Sequence, residues 1–474
     1  MLDRRRLRCY RAPCVKATVL ARGVDAMARW SARWVPNAFV IACLLTLITF
    51  AMVLLVSHKS PADALGYWSG GFWELLEFTM QMALIVLTGY MVAVSPAASR
   101  LLELIAGLAT SNRGAVALMG VVSMTASWLH WGLGLIAGPI FLQFLIRKHP
   151  QVDYRLAVAA GYLGSTCTWH AGLSGSAPLL MATPKNFMEA QVGLVPVSMT
   201  TFSSFNLTLT AVVVTVMTLT VLRLYPQAER VRTSNDLLIG PPAVADAEAP
   251  ADLHPDHGDR GAGRSFARTI EHSYALNLVM GLLGLAAFGG AYAGAGFRVS
   301  LNIFNFAFLF LALLLHPSPA SFSAAASRGA TYLHGIIIQF PLYAGIYGLI
   351  HYSGLAETIG HWFVSIAGTH TFPIIVYWYS GILSYFIPSG GSKWAVEAPY
   401  VLSAAHALGV PARQAILAYA WGDMSTHFLQ PFWAIPLLAI AKVEFKDIIG
   451  YLAILFVVNF ILVSTAFILM PYIW

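Results

Sequence analysis

The sequence predicts an all-α polytopic membrane protein, and three observations support this. Apolar residue types make up 58% of the 474 residues and charged types only 10%, whereas an ordinary soluble domain has about 25% charged residues. The apolar residues form long continuous runs, and a helix of about 20 such residues can cross a bilayer. The runs lack the alternation of apolar and polar residues that is typical of a transmembrane β-barrel.

The charge and cysteine content argue against several other kinds of site. The formal net charge is +7, but the basic residues lie in loops between apolar runs, where they set membrane orientation. We therefore expect no nucleic acid partner. The four cysteines lack the spacing of a zinc site or a disulfide framework. We expect no catalytic residue, no metal, and no cofactor other than a coupling H⁺ or Na⁺.

One polar stretch and the apolar runs divide the chain into five parts. The stretch is rich in Pro, Ala, Asp and Gly and is typical of a disordered linker. The predicted parts are a basic cytoplasmic N-terminus (1–35), repeat 1 (36–224), a polar cytoplasmic linker (225–272), a connecting span (273–295) and repeat 2 (300–471).

An internal repeat is indicated by matching residues at a constant separation of 258 positions. Such pairs are Gln81 and Gln339, Arg155 and Arg413, and Gly164 and Gly422. We assign to each half a re-entrant hairpin and four crossings, one of which is a broken helix. The connecting span adds one crossing, and the resulting odd number turns the second half upside down. The predicted architecture is two inverted repeats with about nine full spans and two hairpins.

The basic residues also predict the orientation. With the N-terminus in the cytoplasm, 23 of the 28 Lys and Arg residues fall on the cytoplasmic side, as the positive-inside rule expects. The odd number of crossings then places the C-terminus in the periplasm. We therefore predict a multi-pass protein of the bacterial inner membrane that contacts the lipid bilayer, and a homodimer is left open.

Inverted repeats with helices broken at corresponding positions are typical of secondary transporters, because non-helical backbone at membrane depth is tolerated where it lines a cavity. Repeat 1 contains two breaks, hairpin one (127–139) and broken helix one (168–180). Each break is either a close packing contact or a ligand-binding stretch. The candidates for substrate binding in them are His130, Trp131, Gly132, Gly134, His170, Ser174, Gly175 and Ser176.

Hairpin two (387–399) is the most informative break. Lys393 and Glu397 are four residues apart and share one helix face. They form either a charge pair that shields both groups or a functional site, because ionisable residues at membrane depth are functional candidates. The candidates for substrate binding in this hairpin are Ser389, Gly390, Gly391, Ser392 and Lys393.

Broken helix two (422–436) contains an intramembrane carboxylate, Asp423. The break is either a structural hydrogen-bond network or a proton or substrate relay. Gln430 and Trp433 are candidates for substrate binding. We predict a coupling-ion or proton relay formed by Glu397, Asp423, Thr426 and His427.

Several of these stretches resemble one known family, the bacterial short-chain fatty acid transporters of the acetoacetate and butyrate uptake type, within the ion-transporter superfamily. The matching stretches include WGLGLIAG (131–138), GLSGSAPLLMATP (172–184), PSGG (388–391) and QPFWAIPLLAIA (430–441). The resemblance covers nearly all of 30–470 apart from the linker. It implies inverted repeats, re-entrant hairpins, elevator-type motion and secondary active uptake of small monocarboxylates by symport with H⁺ or Na⁺.

This chain departs from the family pattern at the breaks. The family commonly has neutral residues where this chain has Lys393 and Glu397. The departures suggest either coupling to protons or a more polar organic acid than butyrate as substrate. A membrane-embedded enzyme using His170, Asp423 or His427 is a weaker alternative, because no complete catalytic pattern is present.

The expected site binds a short carboxylate between the hairpin tips and the broken helices. Ser174, Ser176, Ser389 and nearby N–H groups would bind the carboxylate, and Lys393 would add charge. The alkyl chain would lie against Trp131, Trp394 and Trp433.

Overall fold

The computed structural model describes residues 33, 36, 38–237, 266–295 and 299–474, and its regular structure is entirely helical in those ranges. The all-α class is therefore confirmed. Nearly all of the predicted N-terminal part (1–35), and positions 238–265 of the predicted linker, lie outside the described residues.

Eleven α-helices precede the linker in the described part of the chain. They are α1 (Ala38–Leu55), α2 (Pro61–Gly71), α3 (Leu76–Ala93), α4 (Pro96–Ala106), α5 (Asn112–Leu129), α6 (Trp131–Lys148), α7 (Tyr154–Gly161), α8 (Leu163–Cys167), α9 (Ser176–Met181), α10 (Glu189–Val192) and α11 (Ser204–Leu224).

Eleven more α-helices follow in the described residues from 266 onward. They are α12 (Phe266–Glu271), α13 (Tyr274–Ala295), α14 (Leu301–Leu315), α15 (Pro319–Ala330), α16 (His334–Tyr352), α17 (Leu355–Ile366), α18 (Phe372–Phe386), α19 (Gly390–Ala407), α20 (Ala412–Ser425), α21 (Ile435–Ala441) and α22 (Phe445–Ile473).

The long apolar helices make the chain an integral membrane protein. Among the described residues, α3, α11 and α22 are long and apolar enough to cross a bilayer, and α15 with α16 adds a fourth span if this pair, bent by 52°, counts as one. Other apolar helices, such as α14 and α18, have 15 residues each. The expected total of about nine full spans therefore stays a prediction.

Both hairpin regions contain a short break between two helices. His130 alone separates α5 from α6, and its backbone is extended (φ −160°, ψ 113°). Pro388 lies in the break between α18 and α19, and a proline disfavours helical geometry in the residue before it. The breaks are shorter than the predicted hairpin regions, because α6 and α19 continue through Pro139 and Pro399.

The two predicted broken helices are interrupted by irregular backbone. After α8, a 3₁₀ turn (Trp169–Ala171) and a short loop lead to α9. After α20, two 3₁₀ turns (Thr426–Leu429 and Phe432–Ala434) lead to α21. Helix α19 is buried from Gly390 to Leu402 and packs against α16, α17 and α20. The interrupted segments therefore meet around a helix at the centre of the molecule.

The crossing of α2 and α16 allows a test of the packing. A Cβ atom on Gly71 would lie 2.6 Å from the Cα of Gly348, whereas a Cβ on Gly66 of the same helix meets no atom within 4 Å. We expect Gly71→Ala to lower the free energy of unfolding by about 1–3 kcal/mol, because added volume strains a packed contact. Thermal unfolding in detergent measures this change. Gly66→Ala is the matched control, and equal effects of the two substitutions would contradict the close crossing.

Candidate functional site

A charged cluster is fully buried at the centre of the molecule. The Lys393 Nζ atom lies 3.1 Å from Asp423 Oδ1 and 3.3 Å from Glu397 Oε1. His170 Nδ1 lies 2.9 Å from Asp423 Oδ2. All four side chains have no solvent exposure. The cluster joins α19 and α20 to the 3₁₀ turn of broken helix one, so residues far apart in sequence share one set of contacts.

The Lys393 ammonium group is surrounded by oxygen acceptors. It donates to the Ser380 carbonyl oxygen at 2.8 Å and to Ser380 Oγ at 2.6 Å, and it faces Asp423 Oδ1. An ammonium group has three N–H donors, so the two bonds to Ser380 leave one donor for the carboxylates of Asp423 and Glu397. The ammonium also lies 4.5 Å from the centre of the Tyr419 ring, a favourable position for a cation.

Asp423 is an ionised carboxylate in this arrangement because only donors surround it. Ser384 Oγ donates to Oδ1 at 3.0 Å, and the Lys393 ammonium faces the same oxygen. The Ala177 N–H donates to His170 Nε2 at 3.2 Å, so that nitrogen is unprotonated and the proton is on Nδ1. His170 is therefore neutral and donates its Nδ1–H to Asp423 Oδ2.

Glu397 differs from Asp423 in its surroundings. It is fully buried, and neither carboxylate oxygen has a hydrogen-bond partner among the described residues. Both carboxylates lie at ion-pair distance from Lys393, but only Asp423 has further donors, Ser384 and His170. A buried polar group without a partner is uncommon and calls for a physical explanation.

His427 and Thr426, the other predicted relay residues, are held by backbone groups. His427 Nδ1 donates to the Ser165 carbonyl at 2.9 Å, and its Nε2 lies 3.5 Å from Ser384 Oγ. Thr426 Oγ1 donates to the Gly381 carbonyl at 2.8 Å. His427 thus connects to Asp423 through Ser384, whereas the Thr426 hydroxyl is engaged with the neighbouring helix.

A cavity adjoins the charged cluster. An inner part of about 50 Å³ and an outer part of about 560 Å³ share six lining residues, so the two adjoin. The shared residues are Trp131, Leu135, Ile336, Phe340, Ser389 and Trp433. The inner part is completed by Met82, Ser165, Trp169, Ser176, Gly390 and Gly391. Its wall is mainly apolar, with three serine hydroxyls.

The helix that follows the break in hairpin one has a closed N-terminus. Ser174 Oγ accepts a hydrogen bond from the Trp131 N–H at 2.8 Å, and His130 Nδ1 accepts one from the Leu133 N–H at 3.3 Å. These contacts cap the first turn of α6. Ser174 and His130 therefore act on the protein backbone and do not line the cavity.

The helix that follows the break in hairpin two has an open N-terminus at the cavity. No side chain caps α19, so its first N–H groups lack partners within the helix. Ser392 Oγ donates to Ser389 Oγ at 2.6 Å, which leaves the Ser389 hydroxyl proton free for another acceptor. The partial positive charge of a helix N-terminus favours an anion here.

Gly390 forms the wall between the cavity and the charged cluster. A Cβ atom on this residue would lie 2.6 Å from Asp423 Oδ2 and from Trp169, and 2.7 Å from His170. Any side chain would collide with these groups. The glycine therefore lets the open helix N-terminus approach the buried charges closely.

The structure brings together only part of the predicted substrate-binding set. Six of its residues line the inner cavity, namely Trp131, Ser176, Ser389, Gly390, Gly391 and Trp433. Lys393 and His170 lie in the cluster behind Gly390. The remainder, which do not line the described cavity, are His130, Gly132, Gly134, Ser174, Gly175, Ser392 and Gln430.

The glycines outside the cavity permit close packing. A Cβ on Gly134 would lie 2.1 Å from Ser127 Oγ, one on Gly132 2.8 Å from the Ile85 carbonyl, and one on Gly175 2.2 Å from the His170 carbonyl. The Gln430 Oε1 atom accepts a hydrogen bond from the Phe432 N–H at 2.9 Å. These positions agree with the packing alternative given for the breaks.

Sequence reasoning missed several cavity residues. Trp169 lines the cavity, where Trp394 was expected. The Trp394 ring packs instead against the Tyr419 ring, with 4.5 Å between the ring centres. Met82, Ile336 and Phe340 come from α3 and α16, in which the sequence analysis named no candidate for substrate binding. Gln339, the residue before Phe340, was matched to Gln81 by the repeat, and it lines the outer part of the cavity.

The ion pair of the cluster gives a test of stability. We expect Lys393→Met alone to lower the free energy of unfolding by about 3–5 kcal/mol, because removing one partner of a buried pair leaves an uncompensated charge. The double substitution Lys393→Met with Asp423→Asn removes both charges and recovers part of that loss. Thermal unfolding in detergent measures both variants. A double variant less stable than the single one would show that the two charges are not coupled in this way.

Comparisons with known proteins identify a family and two relatives that this chain resembles. The family model described as "Short chain fatty acid transporter" matches residues 19–470. A protein of Escherichia coli (strain K12), provisionally named a short-chain fatty acid transporter, is 36% identical over 425 residues, which cover 90% of this chain and 94% of that protein. A Haemophilus influenzae protein with the same provisional name is 32% identical over 432 residues, with the same coverage of 90% and 94%.

A solved structure supports the fold. The crystal structure of the Alcanivorax borkumensis YdaH transporter aligns with a TM-score of 0.57 and 16% sequence identity, covering 93% of this chain and 99% of that one. At this identity the likeness concerns the fold alone. The family match and the two relatives make this protein a transporter and not an enzyme. The chain belongs to the short-chain fatty acid transporter family.

Proposed function

We propose that this protein carries short-chain monocarboxylates such as butyrate and acetoacetate across the bacterial inner membrane by symport with H⁺ or Na⁺. The observation that carries the proposal is the uncapped N-terminus of α19 at a mainly apolar cavity. Such a site combines groups that attract an anion with a wall suited to a short alkyl chain.

The carboxylate binds at the first turn of α19. The N–H groups of Gly390 and Gly391 and the Ser389 hydroxyl supply donors, and Ser165 and Ser176 also line the inner cavity. A charged acceptor strengthens each of these hydrogen bonds relative to a neutral one. Hairpin one does not provide an equivalent site, because Ser174 and His130 occupy the first-turn donors of α6.

The alkyl chain lies against aromatic and aliphatic side chains. Trp131 lies 6.0 Å between ring centres from both Trp169 and Trp433, and Met82 and Phe340 complete the wall. Apolar contact of this kind stabilises a bound chain by about 0.8 kcal/mol per buried CH₂. The narrow inner part, about 50 Å³, favours a small acid.

A more polar acid receives less support from this arrangement. Lys393, the residue that suggested such a substrate, donates two hydrogen bonds to Ser380 and lies at ion-pair distance from Asp423 and Glu397. It therefore acts on the cavity through its charge and not through a direct contact.

The two inverted repeats are part of the proposal. Their support is that α2 and α15, α3 and α16, and α7 and α20 each begin 258 positions apart, the separation found in the sequence. We propose alternating access in which the hairpins and broken helices move relative to the long spans. The N-terminus is cytoplasmic and the C-terminus periplasmic in this proposal, which does not require a homodimer.

Uptake by purified protein in vesicles tests the proposed function. Labelled butyrate and acetoacetate are supplied with proton and sodium gradients imposed separately, and protein-free vesicles correct for diffusion of the undissociated acid. Accumulation that follows one gradient is the expected result. No uptake of either acid by correctly folded protein would refute the proposed substrates.

Ser389→Ala tests the carboxylate site. We expect the KM for acetoacetate to rise about tenfold, because a hydrogen bond to a charged group contributes about 1.5 kcal/mol or more. Ser318→Ala is the matched control, since Ser318 caps α15 away from both cavity walls. Initial rates over a range of acetoacetate concentrations give the KM of each variant. An unchanged KM in Ser389→Ala would place the carboxylate elsewhere.

A further inference from the structure

We propose that Glu397 is the group that carries the coupling proton, while Lys393 and Asp423 form a fixed ion pair. This inference rests on the proposed function, because it names the coupling ion of that carrier and the residue that holds it. The support comes from the donors, the charges and the position of the cluster.

Lys393 has more acceptors around it than donors to offer. Ser380 accepts two of the three ammonium protons, one at its carbonyl oxygen and one at Oγ, which leaves one donor for two carboxylates. Asp423 Oδ1 is the nearer of the two at 3.1 Å from Nζ, and Glu397 Oε1 stands at 3.3 Å. Both oxygens of Glu397 lack a hydrogen-bond partner in the described part of the chain.

The charges of the cluster balance only if Glu397 holds a proton. His170 is neutral because its Nε2 accepts the Ala177 N–H. Lys393 and Asp423 then neutralise each other, and an ionised Glu397 would leave one excess negative charge in a fully buried site. An unpaired buried charge is strongly disfavoured, whereas a neutral carboxylic acid is not.

The other groups that face Glu397 do not supply a second positive charge. On its own helix these groups are Lys393 and Tyr400, on α20 they are Tyr419 and Asp423, and on α18 the group is Tyr379. Tyr379 and Tyr400 bond to each other at 2.9 Å between their hydroxyl oxygens, and the Tyr419 hydroxyl donates to the Gly390 carbonyl at 2.6 Å. Lys393 is thus the one cation among these neighbours, and Asp423 already balances it.

Gly390 links the proton to the substrate. The open N–H groups of α19 begin at this residue, and Asp423 lies directly behind it. Glu397 stands about two helical turns further along α19, and a bound carboxylate anion and an ionised Glu397 would repel each other through the buried cluster. A proton on Glu397 therefore favours substrate binding, and bound substrate favours the proton to the same extent.

The transport cycle balances in charge. The Glu397 carboxylate takes one proton from the side on which the cavity is open and becomes a carboxylic acid. One monocarboxylate anion binds, the occluded state changes its access, and the anion and the proton leave on the other side. Each cycle moves one positive and one negative charge, so uptake is electroneutral.

Glu397→Gln separates proton coupling from substrate exchange. We measure proton-driven uptake of labelled acetoacetate and, in the same vesicles, exchange of labelled for unlabelled acetoacetate, which needs no net proton movement. The ratio of proton-driven uptake to exchange is expected to fall at least about tenfold, because a glutamine cannot take up the proton that links the two fluxes. Glu357→Gln, an exposed position on α17, is the matched control and keeps the wild-type ratio.

Two transport results would overturn the proposal. A Glu397→Gln variant whose uptake still follows the proton gradient would place the coupling proton elsewhere. Wild-type uptake that follows a sodium gradient and ignores the proton gradient would assign a different ion.

A measurement without substrate keeps the inference independent of the proposed acids. Infrared difference spectra recorded across a pH titration detect a protonated carboxyl group by its C=O stretch, which shifts in D₂O. We expect a band that is present in the wild type and in Glu357→Gln and absent from Glu397→Gln. A wild-type spectrum without this band would refute a protonated Glu397 even if neither acid is the substrate. A band found without uptake of butyrate or acetoacetate would support the proton site and refute only the proposed substrates.

Discussion

The contact between Lys393 and Asp423 is the interaction on which the centre of the structure depends. A lysine inside a membrane protein is tolerated when its charge is paired and its donors are satisfied, and here Ser380 and Asp423 meet both conditions. The pair fixes α19 against α20, and His170 extends the same network to broken helix one. The cavity lies beside this network because Gly390 has no side chain to separate them.

Much of the architecture could be predicted because helix breaks are encoded locally. Continuous apolar runs mark long helices, and Pro388 marks the break between α18 and α19, whereas the break at His130 is seen only in the structure. The contacts within the site could not be predicted in the same way. His170 and Asp423 are 253 residues apart in sequence, and no local pattern shows that their side chains meet.

Residue type alone does not predict the role of a serine, because two different roles use the same hydroxyl group. A serine near a hairpin tip can bind a carboxylate or cap a helix, since both use its hydroxyl oxygen or proton. Ser174 accepts the Trp131 N–H, whereas Ser389 keeps a free hydroxyl proton. Only the positions of the neighbouring backbone groups distinguish these cases. The same limit applies to the glycines, because Gly134 permits packing and Gly391 lines the cavity.

The order in which the charged residues of the cluster occur along the chain has a consequence for membrane insertion. Lys393 lies on α19, and its final counter-charge lies on α20, which is synthesised later. Glu397 stands one helical turn from Lys393 on the same helix, so α19 can enter the bilayer with its positive charge already compensated. When α20 packs into place, Asp423 takes over this role. The carboxylate that accompanied the lysine during insertion is then free for another use in the folded protein.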